Sequence, residues 1–445
     1  MQSLKRKLVG DDIPGKSPLR KAVSLKNAVA LYASSVLGSG VLVLPGLAAK
    51  IAGPASLLAW ILLSFASYPF AFTFATLSAR RPQSGGIYGF VNEVFGFKIA
   101  TASGWLFAIW VITGAPAVTL IAASYLGYAF PLSHLDTFVL AFSIIVAAFL
   151  VNYFGIVISN KVQLAVIGSI VGLLLATIIA SGFYVKQSNF SPFFPSGILP
   201  VGSAAALIFW SYLGYENVSN VAEEFENPEK DFNRSIIMSV VLIGALYVAV
   251  SFVTIGTHAY EAGGSVAPFA AILSNILGNY GAAGTAVLAV FIIFGAVNAY
   301  TTGMSRVFYA VARDGGFPKA LEHINVKTRV PDRSLLALFG CTIPIFVIYY
   351  FSNVNLETAL LIPSGAAILV YVLGSAAGIK ILTKAGSGIR KKLFPTISLI
   401  ISLVVLAFVG PLLLVSIATI AIGLTYATIS QRRKMSNHRF ETSNS

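Results

Sequence analysis

From Lys26 to Ala52 the chain runs through an apolar segment long enough to cross a bilayer, and near its middle two glycines flank a serine, Gly38-Ser39-Gly40. A membrane-spanning helix needs about 20 apolar residues, and each glycine inside it costs about 1 kcal/mol relative to alanine. A plain anchor gains nothing from that cost. In hydrocarbon an interrupted helix leaves backbone N–H and C=O groups unpaired, so a break is tolerable only where protein, water or a ligand supplies partners. The segment that restarts near Ser39 offers free amides and a positive dipole end to an anion such as a carboxylate. The segment ending near Val36 offers carbonyls that suit an ammonium group or a cation. Together they fit a zwitterion. The competing reading makes Gly38 and Gly40 contact points where another helix comes close.

The rest of the chain places this break in a polytopic membrane protein. Of 445 residues 57% are hydrophobic and only 10% charged, against about a quarter charged in soluble globules. Apolar runs predict twelve spans, near 26–52, 55–78, 98–129, 134–153, 158–184, 199–222, 234–257, 283–312, 334–351, 356–381, 393–410 and 411–430. They are long and uniformly apolar rather than alternating, which favours helices over a barrel. The net charge of +14 lies in short clusters between spans rather than on one face, which argues against a nucleic-acid partner. With the N-terminus inside, only Lys50 and Lys186 of the 30 lysines and arginines fall outside, so both termini are expected in the cytoplasm. The expected organisation is a disordered cytoplasmic N-terminus over 1–21, one transmembrane domain over 22–430 and a disordered cytoplasmic tail over 431–445. Gly86 to Gly96 and Phe317 to Ile324 read as short interfacial helices on the inside, and Val266 to Leu277 as one on the outside. Cys341, the single cysteine, has no disulfide partner and is expected to serve packing.

A second break is expected in the sixth span, where Phe209-Trp210-Ser211-Tyr212-Leu213-Gly214-Tyr215-Glu216 turns polar in mid-membrane with Gly214 as the unwinding point. The first and sixth spans then head two five-span units of opposite topology. Glu216 is the carboxylate placed deepest in the bilayer, where an ionised side chain costs at least about 3 kcal/mol. Burial favours its protonated form, which suits either proton exchange or a local bond to backbone freed by the break. Glu223, Glu224 and Glu226 sit at the inner end of this span, where Lys230, Arg234 or Arg313 are expected ion-pair partners.

These residues resemble the amino acid–polyamine–organocation (APC) superfamily of transporters. The resemblance rests on Gly38-Ser39-Gly40-Val41 with Pro45, Pro82-Gln83-Ser84-Gly85-Gly86, the Phe209 to Glu216 stretch, Glu226-Asn227-Pro228-Glu229-Lys230-Asp231, and Asp314-Gly315-Gly316-Phe317-Pro318, in that order along nearly the whole chain. It implies a five-plus-five inverted repeat (repeat one about 26–184, repeat two about 199–381) with broken first and sixth helices and two extra spans over about 393–430. That fold is shared with bacterial arginine/agmatine antiporters and neutral amino acid exporters. It implies a substrate carboxylate held at Ser39, Gly40 and Val41, and an amine that meets the carbonyls of Val36, Trp210 and Leu213. Trp210 resembles the ring that covers bound substrate, and Tyr300 resembles a second aromatic of the same cavity. The sodium-coupled pattern of hydroxyls on the eighth span is missing from Ile292-Ile293-Phe294-Gly295, and the fifth-span lysine of some proton-coupled relatives is replaced by Ile170.

The reading that follows is a secondary active transporter of amino acids with a neutral, apolar side chain, working by alternating access and driven by protons or by exchange. No cofactor is expected. The rival within transport is a polyamine or basic amino acid antiporter that uses Glu216 as counter-charge, and a rival from another class is a non-transporting membrane sensor. An intramembrane enzyme would need clustered acid, base or metal groups, and His134, His258, His323 and His438 show no partners in sequence.

Overall fold

The computed structural model describes residues 25, 29, 32, 36–80, 86–155, 160–215, 228–261, 263–328 and 330–443, and among these it contains helices and turns but no strand. The helices are α1 (Gly40–Ala52), α2 (Ser56–Arg80), α3 (Ile87–Ala129), α4 (His134–Tyr153), α5 (Asn160–Ser181), α6 (Leu199–Ile208) and α7 (Pro228–Gly256). They continue with α8 (Pro268–Leu277), α9 (Asn279–Asp314), α10 (Asp332–Phe351), α11 (Leu356–Lys384), α12 (Ile389–Leu406) and α13 (Leu413–Ser443). The chain is an all-helical, polytopic membrane protein: among the described residues nine helical stretches are long and apolar enough to cross a membrane.

The difference from the twelve predicted spans has three local causes. The 3-10 turn Gly53–Ala55 joins α1 to α2, so the first two predicted spans form one stretch, Gly40–Ser78. The described helix of the sixth span is short, Leu199–Tyr212. Helix α12 is 18 residues long and opens with Arg390, Lys391 and Lys392, too charged a start for an apolar window of that length.

Helix α3 forms the axis of the molecule, with α4, α9, α10, α11 and α13 against it, while α1 packs on α6 and α7. Its entry segment is the expected interfacial helix: residues 87–95 are helical, and Gly96 breaks the run with φ 77° and ψ 175°, a conformation open chiefly to glycine. Ser133 and Asp136 form a reciprocal capping box that starts α4. Gly315, at φ 91°, ends α9 in the left-handed conformation. The other two interfacial expectations appear as a single 3-10 turn, Lys319–Glu322, and as α8.

Charge separates by end. Lys50 and Lys186 lie where the Lys186 N–H donates to the Gly256 carbonyl at 2.9 Å and Gly53 faces Pro195. Lys380, with Nζ 4.6 Å from the Phe95 ring, and Arg313 lie at the opposite end, where Trp105 Nε1 donates to the Gly316 carbonyl at 3.3 Å. One expectation is corrected here. Residues 431–443, taken as disordered, continue α13 as helix, because the stretch lacks glycine and proline and begins with Gln431, Arg432, Arg433 and Lys434, all good helix formers.

Candidate substrate site

Both interruptions are present as backbone geometry, and they face each other. Val36 is helical, Leu37, Gly38 and Ser39 are not, and regular helix resumes at Gly40. At the second, α6 stops at Ile208 and tightens into the 3-10 turn Phe209–Tyr212. Leu213 is then extended, and Gly214 adopts φ 121°, which explains glycine at that position. Trp210 Nε1 donates to Ser39 Oγ at 3.3 Å, tying the second break to the first.

The two glycines of the first break differ. A Cβ at Gly40 would lie 2.5 Å from Ser211 Oγ and 3.0 Å from Trp210 Cδ1, so a side chain there forces the two breaks apart. Among the described residues a Cβ at Gly38 would meet only the Val36 carbonyl, at 3.9 Å. Gly40 is therefore a point of close helix approach in this conformation, as the competing reading of the sequence had it, while Gly38 faces open space. Val36, Ser39, Val41 and Leu213 are all buried.

Beside the breaks lies a cavity of about 20 Å³ lined by Trp110, Val111, Gly114, Ala115, Val118, Trp210, Val297, Tyr300 and Thr301. It brings Trp210 and Tyr300 into one wall and carries no charged side chain. A cavity of about 150 Å³ holds one benzene molecule, and roughly 10–15 Å³ one water, so this pocket by itself has room for little more than a water. Gly114 makes room for the Trp210 ring: a Cβ there would come within 2.8 Å of Trp210 Cη2. Trp110 Nε1 and Ser211 Oγ are buried polar atoms with no hydrogen-bond partner among the described residues. Trp110 and Gly114 were invisible as site residues in the sequence, since both sit in an unbroken apolar run.

The carbonyl of Val36 is occupied. It accepts the Gly38 N–H at 2.8 Å and the Tyr247 hydroxyl at 2.9 Å, which fills both acceptor positions of a carbonyl oxygen. The Trp210 carbonyl accepts the Leu213 N–H at 3.3 Å. The implied ammonium ligands are thus not free as a set in this conformation. Tyr247, on α7, was not singled out by sequence, because its role depends on residues 211 and 36 positions away in the chain.

Glu216, with Glu223, Glu224 and Glu226, lies outside the described residues. Ile170, Ile292 and Ile293 are buried in the core. Three of the four histidines do find partners: His323 Nδ1 lies 2.7 Å from Asp332 Oδ1, His258 Nδ1 3.4 Å from Glu261, and His134 Nε2 3.3 Å from the Tyr350 carbonyl. These pairs lie in turns and at helix ends, and among the described residues no three His, Cys, Asp or Glu side chains come together to hold a metal ion. Cys341 is exposed on α10 rather than packed inside, which corrects the packing expectation.

The model of a family described as amino acid permease matches residues 23–431. The chain is 34% identical over 370 residues to an uncharacterized amino acid permease of Bacillus subtilis (strain 168), covering 83% of this chain and 87% of that protein. It is 28% identical over 399 residues to an L-methionine/branched-chain amino acid exporter of Escherichia coli (strain K12), covering 88% and 93%. A branched-chain amino acid permease of Bacillus subtilis (strain 168) is 28% identical over 388 residues, covering 80% and 82%.

Proposed function

The chain belongs to the amino acid permease family of the APC superfamily and is an amino acid transporter, and from that premise we propose that it carries neutral amino acids with apolar side chains by alternating access. The observation that carries the substrate class is the uncharged cavity wall built from Trp110, Val111, Gly114, Trp210, Val297 and Tyr300 beside the two breaks. A lysine or polyamine chain entering that wall would meet no counter-charge among the described residues, at a cost of several kcal/mol for a desolvated ammonium, which leaves Glu216 as its one candidate counter-ion in the sequence reading. Two relatives named for branched-chain amino acids or methionine support the same class.

In this reading the substrate carboxylate sits on the amides at Ser39, Gly40 and Val41, with Gly38 giving room beside them. Its ammonium meets carbonyls of Val36, Trp210 and Leu213, and Trp210 and Tyr300 close over the side chain. Gly214 keeps the second break unwound. The joined breaks then belong to a conformation that must open before substrate fits. The proposed architecture is twelve transmembrane helices, a five-plus-five inverted repeat with broken first and sixth members and two C-terminal helices, and the meeting of the two breaks supports it. The proposed setting is the cell membrane, with both termini cytoplasmic, as the charge separation favours. Coupling runs through protons at Glu216 or through exchange.

The test is a thermal-shift screen of the purified full-length protein against the common amino acids, followed by counterflow in proteoliposomes. A ligand at 100 times its Kd stabilises the folded state by about 2.7 kcal/mol. L-Leucine, L-isoleucine, L-valine and L-methionine are expected to stabilise, and L-lysine, L-arginine and putrescine to leave the transition unmoved. Stabilisation by the basic ligands alone would transfer the site to cationic substrates, and binding without counterflow would make the chain a sensor.

A further inference from the structure

The Tyr247 hydroxyl joins the two breaks directly. It donates to the Val36 carbonyl at 2.9 Å and to the Ser211 carbonyl at 3.0 Å, sharing one hydrogen between a residue of the first break and a residue of the second. The ring that carries it is fully buried and held edge-on by Trp60 and Tyr212, each with its centroid 5.3 Å away. The hydroxyl is therefore placed by packing and not by a flexible reach. Tyr212 is itself engaged elsewhere, through Ser64 Oγ at 2.7 Å and the Trp60 carbonyl at 3.1 Å, so it does not compete for the same acceptors.

We propose that Tyr247 is an internal substitute for the substrate's ammonium group at the Val36 carbonyl, closing the two breaks on each other whenever the carrier reorients without substrate. This rests on the placement of the ammonium at Val36 given above. Without Tyr247 the Val36 carbonyl keeps the Gly38 N–H but loses its second donor, and a half-satisfied carbonyl in a dry interior is disfavoured, so a carrier that depended on the substrate for that second donor would be held back from reorienting unloaded. Tyr247 supplies that second donor in the conformation in which the two breaks are joined. An arriving ammonium makes a charge-assisted and stronger bond and displaces the hydroxyl from Val36. The hydroxyl keeps the Ser211 carbonyl as acceptor, so nothing is orphaned by the exchange. Tyr247 acts on the transport cycle by positioning backbone.

Removing one oxygen separates the two half-cycles. In proteoliposomes of the full-length protein preloaded with labelled L-leucine or L-methionine, Tyr247→Phe is expected to lower net efflux into amino-acid-free buffer at least tenfold. Counterflow against the same unlabelled amino acid stays within twofold of wild type, because there each reorientation carries an ammonium. Retained counterflow is also the proof of folding. A purely structural role would lower both fluxes together, and that result overturns the proposal. So does a variant whose ratio of net efflux to counterflow equals that of wild type. A measurement on wild type alone also decides: net efflux below one-hundredth of counterflow means that unloaded reorientation is not part of the cycle, and the proposal falls without any variant. If wild type exchanges neither amino acid, the site reading itself has failed and takes this inference with it, whereas an intact wild-type exchange with an unchanged variant ratio removes Tyr247 alone.

Discussion

At the scale of single residues, the site is decided by which side chains the two breaks bring into contact. Trp210 is held at both ends, by the bond from Nε1 to Ser39 Oγ and by the gap that Gly114 leaves for Cη2. An aromatic cover that excludes water strengthens the polar contacts beneath it, so Trp210→Leu is expected to weaken L-leucine binding at least tenfold, about 1.4 kcal/mol, as read by titration of the purified protein. An unchanged Kd would leave Trp210 as core packing. Gly38 and Gly40 give a paired prediction. Gly40→Ala must push Ser211 and Trp210 away from 2.5 and 3.0 Å, so it is expected to lower both the unfolding temperature and substrate affinity. Gly38→Ala meets open space and should fold like wild type, so any loss of affinity in it reports on substrate approach alone. Equal behaviour of the two variants would overturn the distinction. The sequence showed where the break is, because two glycines around a serine are costly in an apolar span. It did not show that Gly40 touches Ser211 or that Tyr247 occupies the Val36 carbonyl, since those contacts join residues 171 and 211 positions apart and leave no local pattern.

At the scale of elements, what was legible followed from backbone chemistry, and what was not followed from packing between helices. The hinge between residues 87–95 and the body of α3 was readable from Gly96, and the end of α9 from Gly315, because both need a positive φ. The extension of α13 through residue 443 was misread, because polarity was taken for disorder where only glycine or proline would have stopped the helix. Closure at the Lys50 end was legible only as a short outer helix over Val266 to Leu277 that could cover an entrance, and not as a backbone contact with α1. There the 3-10 turn Gly264–Val266, which leads into α8, lies on α1, and a Cβ at Gly46 would collide with the Ser265 carbonyl and stand 3.0 Å from Ser265 Cα. Backbone atoms cannot swing aside as a side-chain tip can. Gly46→Ala is therefore expected to cost about 1–3 kcal/mol of stability, the range of overpacked sites, and to open this end of the molecule. A single cysteine placed at Ser265 in a Cys341→Ala background would report it, with faster labelling by a membrane-impermeant maleimide in the Gly46→Ala protein. The background itself should be silent, since Cys341 is exposed and the change lies within about 0.5 kcal/mol of neutral. Equal labelling rates would show that the turn is not a closure.

At the scale of the whole molecule, the cavity near 20 Å³ and the two linked breaks describe one conformation of a transporter that must admit and release an amino acid. What drives the cycle is set by the groups that titrate or bind ions at the breaks. In the proposed reading the stretch Ile292 to Gly295, which carries no hydroxyl, and Ile170, aligned with the lysine of some proton-coupled relatives, disfavour the sodium and lysine devices. Glu216 is left, one residue beyond the last described position of the second break, as the carboxylate nearest to it in sequence. A carboxylic acid there is expected to gain its proton when the cavity faces the more acidic side and lose it when the cavity faces the other. Glutamine keeps the shape and hydrogen bonding of the protonated acid but removes the titration. Glu216→Gln is therefore expected to bind and exchange L-leucine at near wild-type rates while losing the accumulation that an imposed pH gradient drives in wild-type proteoliposomes. Equal accumulation by the two proteins would make Glu216 structural. A wild type indifferent to the gradient would leave exchange as the driving process, with the amino acid on the far side as its own counter-substrate.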